Sequence, residues 1–297
     1  MITAEFEEKA YEGPLYNQLE RGHNLLFTPG QVLEKTLGFD AGLFVAQTAV
    51  WETLGYKTPL HGAALAYYDW PIAWELNQPK EKIPRFRLNL FLQAKRPNFY
   101  TRRPRSLKKL KTISAPLWSF RVTPHQQRRL QRMSETLQGR AHVAYASPAF
   151  HTYTDLFRHT QRRTIVENSS FPSVETLKGH EAWYYQKPGA QGAANPNPES
   201  IEEPSLPDRI ADLARATDAF DGGDLNWLDL TARGVIEAAA GTDEGAIDGR
   251  TAHFFNDLQT LERLTERFEI RESLRAYAQV ALFTIRFDLN WLVVADG

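Results

Sequence analysis

The sequence predicts an α/β fold: a mixed sheet flanked by helices, followed by an α-helical C-terminal region. Three observations carry that expectation. Residues 85–97 alternate as a strand, with Leu88, Leu90, Leu92 and Ala94 on one face and Asn89, Phe91, Gln93 and Lys95 on the other. Residues 123–139 read as a helix lying between that strand and a second short apolar run, 141–146. A helix between two strands argues for a crossover and hence a partly parallel sheet. From residue 206 onward the apolar positions recur with helical spacing.

Composition bounds the rest. The chain has 297 residues, enough for a real core in one large domain or in a domain with an appendage. Its 42% hydrophobic and 24% charged residues are ordinary for a soluble globular protein. The absence of cysteine excludes disulfides and thiolate–zinc sites and fits a reducing compartment. No apolar run is long enough to span a bilayer, and the first residues lack a basic, apolar leader, so a cytoplasmic protein is expected. The net charge of −1 conceals an asymmetry: residues 80–132 hold sixteen Lys or Arg against one acid, Glu81. After Lys187 no lysine occurs, and Asp and Glu outnumber Arg. A basic middle interleaved with Phe99, Tyr100 and Trp118 points to a polyanion-binding surface on one part of the chain.

Taken in order, residues 5–23 have a modest helical stripe that includes Leu15 and Leu19. Thr28 as N-cap, Pro29 at the first helical position and Gly38 as stop define a short helix that carries Glu34. Residues 39–45, with Asp40, leave it as an extended segment. Prolines and glycines break up residues 46–84, where a hairpin is expected; Asp69 in that stretch competes with Asp40 as a site carboxylate. Pro97 stops the long strand and a basic loop follows, residues 98–111. Thr123, Pro124 and Gln126 have the spacing of a capping box, with Leu130, Met133 and Leu137 as buried stripe and Gly139 as stop. Residues 153–159 suggest a helix, and residues 164–166 and 182–185 suggest strands. Residues 188–207 are rich in Pro, Asn, Gly and Ala and read as a loop or linker. Residues 206–240 are helical in pattern, with breaks expected at Gly222, Gly223 and Gly234. Residues 257–293 read as one or two long helices with Leu258, Leu261, Leu264, Leu274, Tyr277 and Leu282 among the apolar positions. The expected division is 1–187, a linker at 188–207, and a helical region at 208–297.

Glu34 on a helix, Asp40 on the next extended segment, Gln93-x-Lys95 at a strand end, then a helix and a strand: in this order the parts resemble the PD-(D/E)xK nuclease superfamily, the restriction-endonuclease-like fold. The Gln-x-Lys variant looks like that of the Mrr-type nucleases. The resemblance covers roughly residues 12–150 and extends to uncharacterised bacterial proteins of this type, often associated with defence against phage. It implies phosphodiester hydrolysis in DNA, with Asp40 and Glu34 on Mg²⁺ or Mn²⁺, the Gln93 carbonyl as a neutral ligand, and Lys95 acting on the water or the transition state. Gln93 stands where an acid is usual, which lowers the negative charge of the site; Phe39 replaces the usual proline; Asp69 stays a rival metal aspartate.

Each residue also has a plain structural reading. Glu34 is then a surface glutamate, Asp40 a turn residue, and His125 and Gln126 simple caps. On the functional side, His125 and Gln126 at a helix N-terminus suit a phosphate, and Arg96, Arg102, Arg103, Arg105, Lys108, Lys109 and Lys111 suit a DNA backbone. His142, His151, His159 and His180 show no zinc-ligand spacing, and the serines at 169–173 lack nucleophile-elbow glycines. A catalytically silent fold that binds nucleic acid or a partner protein is the competing expectation, RNA is an alternative target, and the C-terminal helices offer a surface for a second copy or a partner.

Overall fold

The computed structural model describes residues 1–19, 25–27, 42–44, 86–110, 112–137, 140–186, 191–196, 198–217, 224–241, 249–267 and 272–295. The first part of the chain gives β1 (Ile2–Thr3), α1 (Glu8–Leu19), β2 (Leu25–Phe27) and β3 (Gly42–Phe44). Next come β4 (Phe86–Ala94), β5 (Asn98–Tyr100), β6 (Leu117–Arg121), α2 (Pro124–Thr136), β7 (Ala141–Pro148) and α3 (Tyr153–Arg162). Then follow β8 (Ser169–Ser170), β9 (Ala182–Tyr185), β10 (Gln191–Asn195), β11 (Glu199–Glu202) and α4 (Leu206–Thr217). The chain closes with α5 (Asp224–Ala240), α6 (Gly249–Arg267), α7 (Glu272–Arg286) and β12 (Asn290–Ala295). This is a mixed α/β protein, and no helix among the described residues is long and apolar enough to cross a membrane.

The chain divides into two compact units: Met1–Ile2 with Pro84–Ala149 and Ser169–Gly297, and Thr3–Ile83 with Phe150–Asn168. In the first unit, β4 lies between two partners. It runs parallel to β7, with Gln93 opposite Tyr145, and antiparallel to β12, with Phe91 opposite Trp291. The sheet order is β12-β4-β7-β8, and α2 lies in the crossover from β4 to β7, as the sequence predicts. From Asn89 to Ala94 both faces of β4 are buried, so the face bearing Asn89, Phe91 and Gln93 is interior as well. A second sheet runs β5-β6-β9-β10-β11, antiparallel throughout, with β1 at its β5 edge. Phe120 of this sheet meets Tyr145 of the first at 5.5 Å between ring centroids.

Four expectations are corrected here. The expected linker contains two strands, β10 and β11. Its small residues have a packing purpose, because a Cβ on Gly192 would lie 1.9 Å from the Trp183 ring. The C-terminal region does not end in helix; its last described segment is β12, paired with β4. Gly234 lies inside α5 instead of breaking it, and a Cβ there would come within 2.4 Å of Leu137 Cδ2, which explains the glycine as a close approach. The strand expected at 164–166 does not form, and Val166 opens a 3₁₀ turn, Val166–Asn168. The expected helix around Glu34 lies outside the described residues.

In the second unit one side chain at the end of α1 makes three hydrogen bonds to the segment after α3. Gln18 Nε2 donates to Glu167 at 2.8 Å, and its Oε1 accepts from the backbone N–H of Ile165 at 2.6 Å and of Val166 at 3.1 Å. Phe150 packs between Phe6, at 5.7 Å, and His159, at 4.8 Å.

Asn89 ties the middle of β4 to the end of the chain. Its Nδ2 donates to the Arg140 carbonyl at 3.1 Å and to Thr231 Oγ1 at 3.0 Å, and its Oδ1 accepts from Trp291 Nε1 at 2.9 Å. Asn89→Leu fills the same volume but strands these groups in the interior. It is expected to lower stability by about 3 kcal/mol, read as a fall in the urea midpoint followed by tryptophan fluorescence.

Candidate functional site

The site forms where β4 ends against the start of α2. The strand's pairing continues one residue beyond its end: the Lys95 N–H donates to the Ala146 carbonyl at 2.8 Å, and Ser147 Oγ donates to the Lys95 carbonyl at 3.0 Å. Lys95 is therefore fixed at both its backbone polar groups. Across from it, Thr123 stands at the N-cap of α2 and Pro124 at the first helical position. The capping box that the sequence suggests does not form as a pair, because Thr123 makes no side-chain cap hydrogen bond. Gln126 turns elsewhere. Its Oε1 accepts from Lys95 Nζ at 2.7 Å, and its Nε2 donates to Gln93 Oε1 at 2.8 Å. Gln93 is 3% exposed and Lys95 9%.

The orientation of both amides follows from the ammonium. Lysine has donors and no acceptor, so Gln126 must offer its oxygen. Its NH₂ then points to Gln93, which must offer its own oxygen in turn. The relay thus has one self-consistent arrangement. Beneath it, Lys95 Nζ stands 5.6 Å from the centre of the Tyr145 ring. The Tyr145 hydroxyl donates to Gln127 Oε1 at 2.6 Å, and Gln127 Nε2 donates to the Val174 carbonyl at 2.7 Å. Burial holds the Tyr145 phenol well above its usual range, so it stays a donor. Tyr145 and Gln127 escaped the sequence reading. The signal for Tyr145 was its register: in a parallel pair of β4 with the apolar run, it falls opposite Gln93.

The structure brings Gln93, Lys95 and Gln126 together. Glu34, Asp40, Asp69 and Lys111 lie outside the described residues. His125 is exposed on the first turn of α2. Of the loop cations, Arg102, Arg105, Lys108 and Lys109 are exposed and Arg96 is half-buried. Arg103 is exposed as well, and its guanidinium donates to the carbonyls of Leu110 at 2.8 Å and Ile113 at 3.3 Å. Leu107 anchors this loop in a cluster with Ile113, Leu117 and Tyr184.

The fit of Mg²⁺ can be judged from the donors present. That ion takes hard oxygens, normally one or two carboxylates with several waters. The relay offers one neutral oxygen, Gln93 Oε1, which already accepts an N–H, beside an ammonium group. No group of three His, Asp or Glu suited to a metal occurs among the described residues. The relay residues therefore do not make a magnesium site by themselves.

A second polar cluster lies in the same unit. Trp183 Nε1 donates to Ser170 Oγ at 2.9 Å, and Ser170 Oγ donates to Glu203 Oε2 at 3.1 Å. The other oxygen, Oε1, is buried without a hydrogen-bond partner among the described residues. Glu203 borders a small cleft with His142, Ser173, Thr176 and Arg209. Burial pushes the Glu203 carboxyl up to about 8, against smaller opposing effects of Ser170, Arg209 and the Phe171 N–H. Burial, with Arg209 nearby, pulls the His142 imidazole down to about 4. Both groups are neutral at pH 7.

Comparison with protein-family models, with curated proteins and with solved structures finds no match to this chain.

The Glu203 geometry generates a pH prediction. The folded protein keeps the Glu203 proton up to about pH 8, whereas the unfolded chain releases it near 4.3. The carboxyl's contribution to stability is therefore complete at low pH and is lost as pH rises through about 8. Glu203→Gln keeps a neutral side chain and removes that loss. The urea midpoints of the two proteins should be close near pH 5, with the variant progressively the more stable toward pH 8. A constant gap would show that Glu203 ionises normally.

Proposed function

We propose that this chain is a nuclease that hydrolyses phosphodiester bonds in DNA, with a restriction-endonuclease-like core and a role in bacterial defence. The observation that carries the reading is the meeting of Gln93 and Lys95, at the end of a buried central strand, with Gln126 from the crossover helix. An ammonium group held at a strand end can stabilise the charge that develops on a phosphoryl oxygen during attack by water. The loop that begins three residues beyond Lys95 adds the exposed cations Arg102, Arg105, Lys108 and Lys109, which suit contacts to the phosphate backbone and carry no sequence preference. His125, exposed at the start of α2, suits the same role. The Mg²⁺ or Mn²⁺ requirement of the reading falls to Glu34 and to Asp40 or Asp69.

One observation favours a second reading, a nuclease-like fold that binds nucleic acid or a partner without cutting: the Gln93 oxygen is already engaged by Gln126. A plasmid cleavage assay over Mg²⁺ and Mn²⁺ separates the two. The nuclease reading expects metal-dependent nicking, reduced about 10²- to 10³-fold by Lys95→Ala and abolished by loss of the true metal aspartate, Asp40 or Asp69. Retarded migration of DNA without cleavage under all metals supports the binder instead. Competition between duplex DNA and single-stranded RNA at fixed salt decides the target.

A further inference from the structure

We infer that Gln126 is the positioning residue for the Lys95 ammonium, and that the Gln93 carbonyl serves this relay and is not a metal ligand. The argument begins with the strand. Lys95 follows the last residue of β4, and its backbone is pinned by Ala146 and Ser147. A lysine side chain nevertheless keeps several rotatable bonds, so a fixed backbone does not fix the ammonium. Among the described residues two contacts help to do so: the 2.7 Å hydrogen bond to Gln126 Oε1 and the face of the Tyr145 ring. The first is charge-assisted and directional, the second broad.

Gln126 is constrained in turn. It projects from the first turn of a 13-residue helix whose position is set by a buried stripe, Leu130 and Met133, and by Leu137 at its C-cap. An amide can flip, exchanging its oxygen and nitrogen. A flip would aim the NH₂ at the ammonium and the oxygen at Gln93 Oε1, replacing two attractions by two repulsions. Gln93, 3% exposed, thus acts as a latch that keeps the Gln126 oxygen facing Lys95.

The inference rests on the nuclease reading only for its catalytic consequence, and the test separates the two. Exchange of the Lys95 ammonium protons with solvent is followed in proton–nitrogen correlation spectra of the full chain, with the signal assigned by its loss in Lys95→Met. Gln126→Leu should speed that exchange about tenfold, the scale of one lost charge-assisted hydrogen bond. Gln126→Glu restores an acceptor and should retain the slow exchange. It also shows that the helix start tolerates substitution. Unchanged exchange in Gln126→Leu, or fast exchange in Gln126→Glu, overturns the inference. In the second arm, Mn²⁺ affinity measured by calorimetry should be the same for the wild type and Gln93→Ala, or binding should be absent from both. An affinity about tenfold weaker in Gln93→Ala, the scale expected for losing a group that supports the metal, overturns the claim about Gln93. If the wild type cleaves DNA, Gln126→Leu should lower kcat with KM unchanged. If it does not, the nuclease reading fails while the exchange experiment still decides the role of Gln126.

Discussion

A strand buried on both faces must have every polar group it carries satisfied from within, and β4 carries two such amides. Asn89 and Gln93 lie on the same side of the strand, and each is 3% exposed or less. Leaving either unpartnered would cost a desolvation penalty on the order of 1–3 kcal/mol. The chain meets the requirement with two different elements. Asn89 is satisfied by the C-terminal part, through Thr231 and Trp291, and Gln93 by the crossover helix, through Gln126. Segments far apart in sequence are thereby tied to one strand, and the candidate site sits at one of the two ties.

The helix that supplies Gln126 is a hub in its own right. The Arg129 guanidinium lies 4.1 Å from the centre of the Phe287 ring, and its Nη2 donates to Thr251 Oγ1 at 3.3 Å. Leu137 fills the space that Gly234 leaves open on α5. Phe254 and Phe283 continue this contact into an aromatic cluster with Phe287. The C-terminal helices therefore pack on the same element that positions the Lys95 ammonium. Of the sixteen basic residues between 80 and 132, Arg129 is half-buried against Phe287, and Arg103, although exposed, donates to backbone carbonyls of its own loop. Arg102, Arg105, Lys108 and Lys109 are exposed.

How much of this was legible depends on whether a segment's conformation is set by itself or by its partners. β4, α2 and β7 have strong internal patterns, so the crossover and its parallel pairing were readable, as was the placing of Gln93 beside Lys95. Gln126 was singled out for its place at a helix start, but its partners were not, because helix-end rules favour a local cap and the tertiary contact to Lys95 overrides them. β12 becomes a strand only beside β4; read alone, its apolar residues extend the helical spacing of the segment before it. β10 contains Gly192, whose smallness is explained by the Trp183 ring beside it, and Ala193, buried on the other face with Leu107, Ile113, Leu117 and Tyr184; no local signal distinguishes that from a linker. The acids that the resemblance nominates, Glu34, Asp40 and Asp69, lie outside the described residues.

The arrangement of charge at the relay bears on what the site can do. Gln93, Gln126 and Lys95 carry one formal positive charge between them, and the exposed loop that follows carries more. Attraction for a polyanion comes from that charge whether or not a bond is cut, and it weakens with salt in proportion to the phosphates engaged. Cleavage asks for something further: a water made nucleophilic and set in line with the leaving oxygen. In the proposed nuclease the relay serves the second requirement through direction, since it sets where the Lys95 N–H groups point. Under that reading binding and hydrolysis separate at the level of individual residues: the loop cations serve the first, and Gln126 serves the second through Lys95.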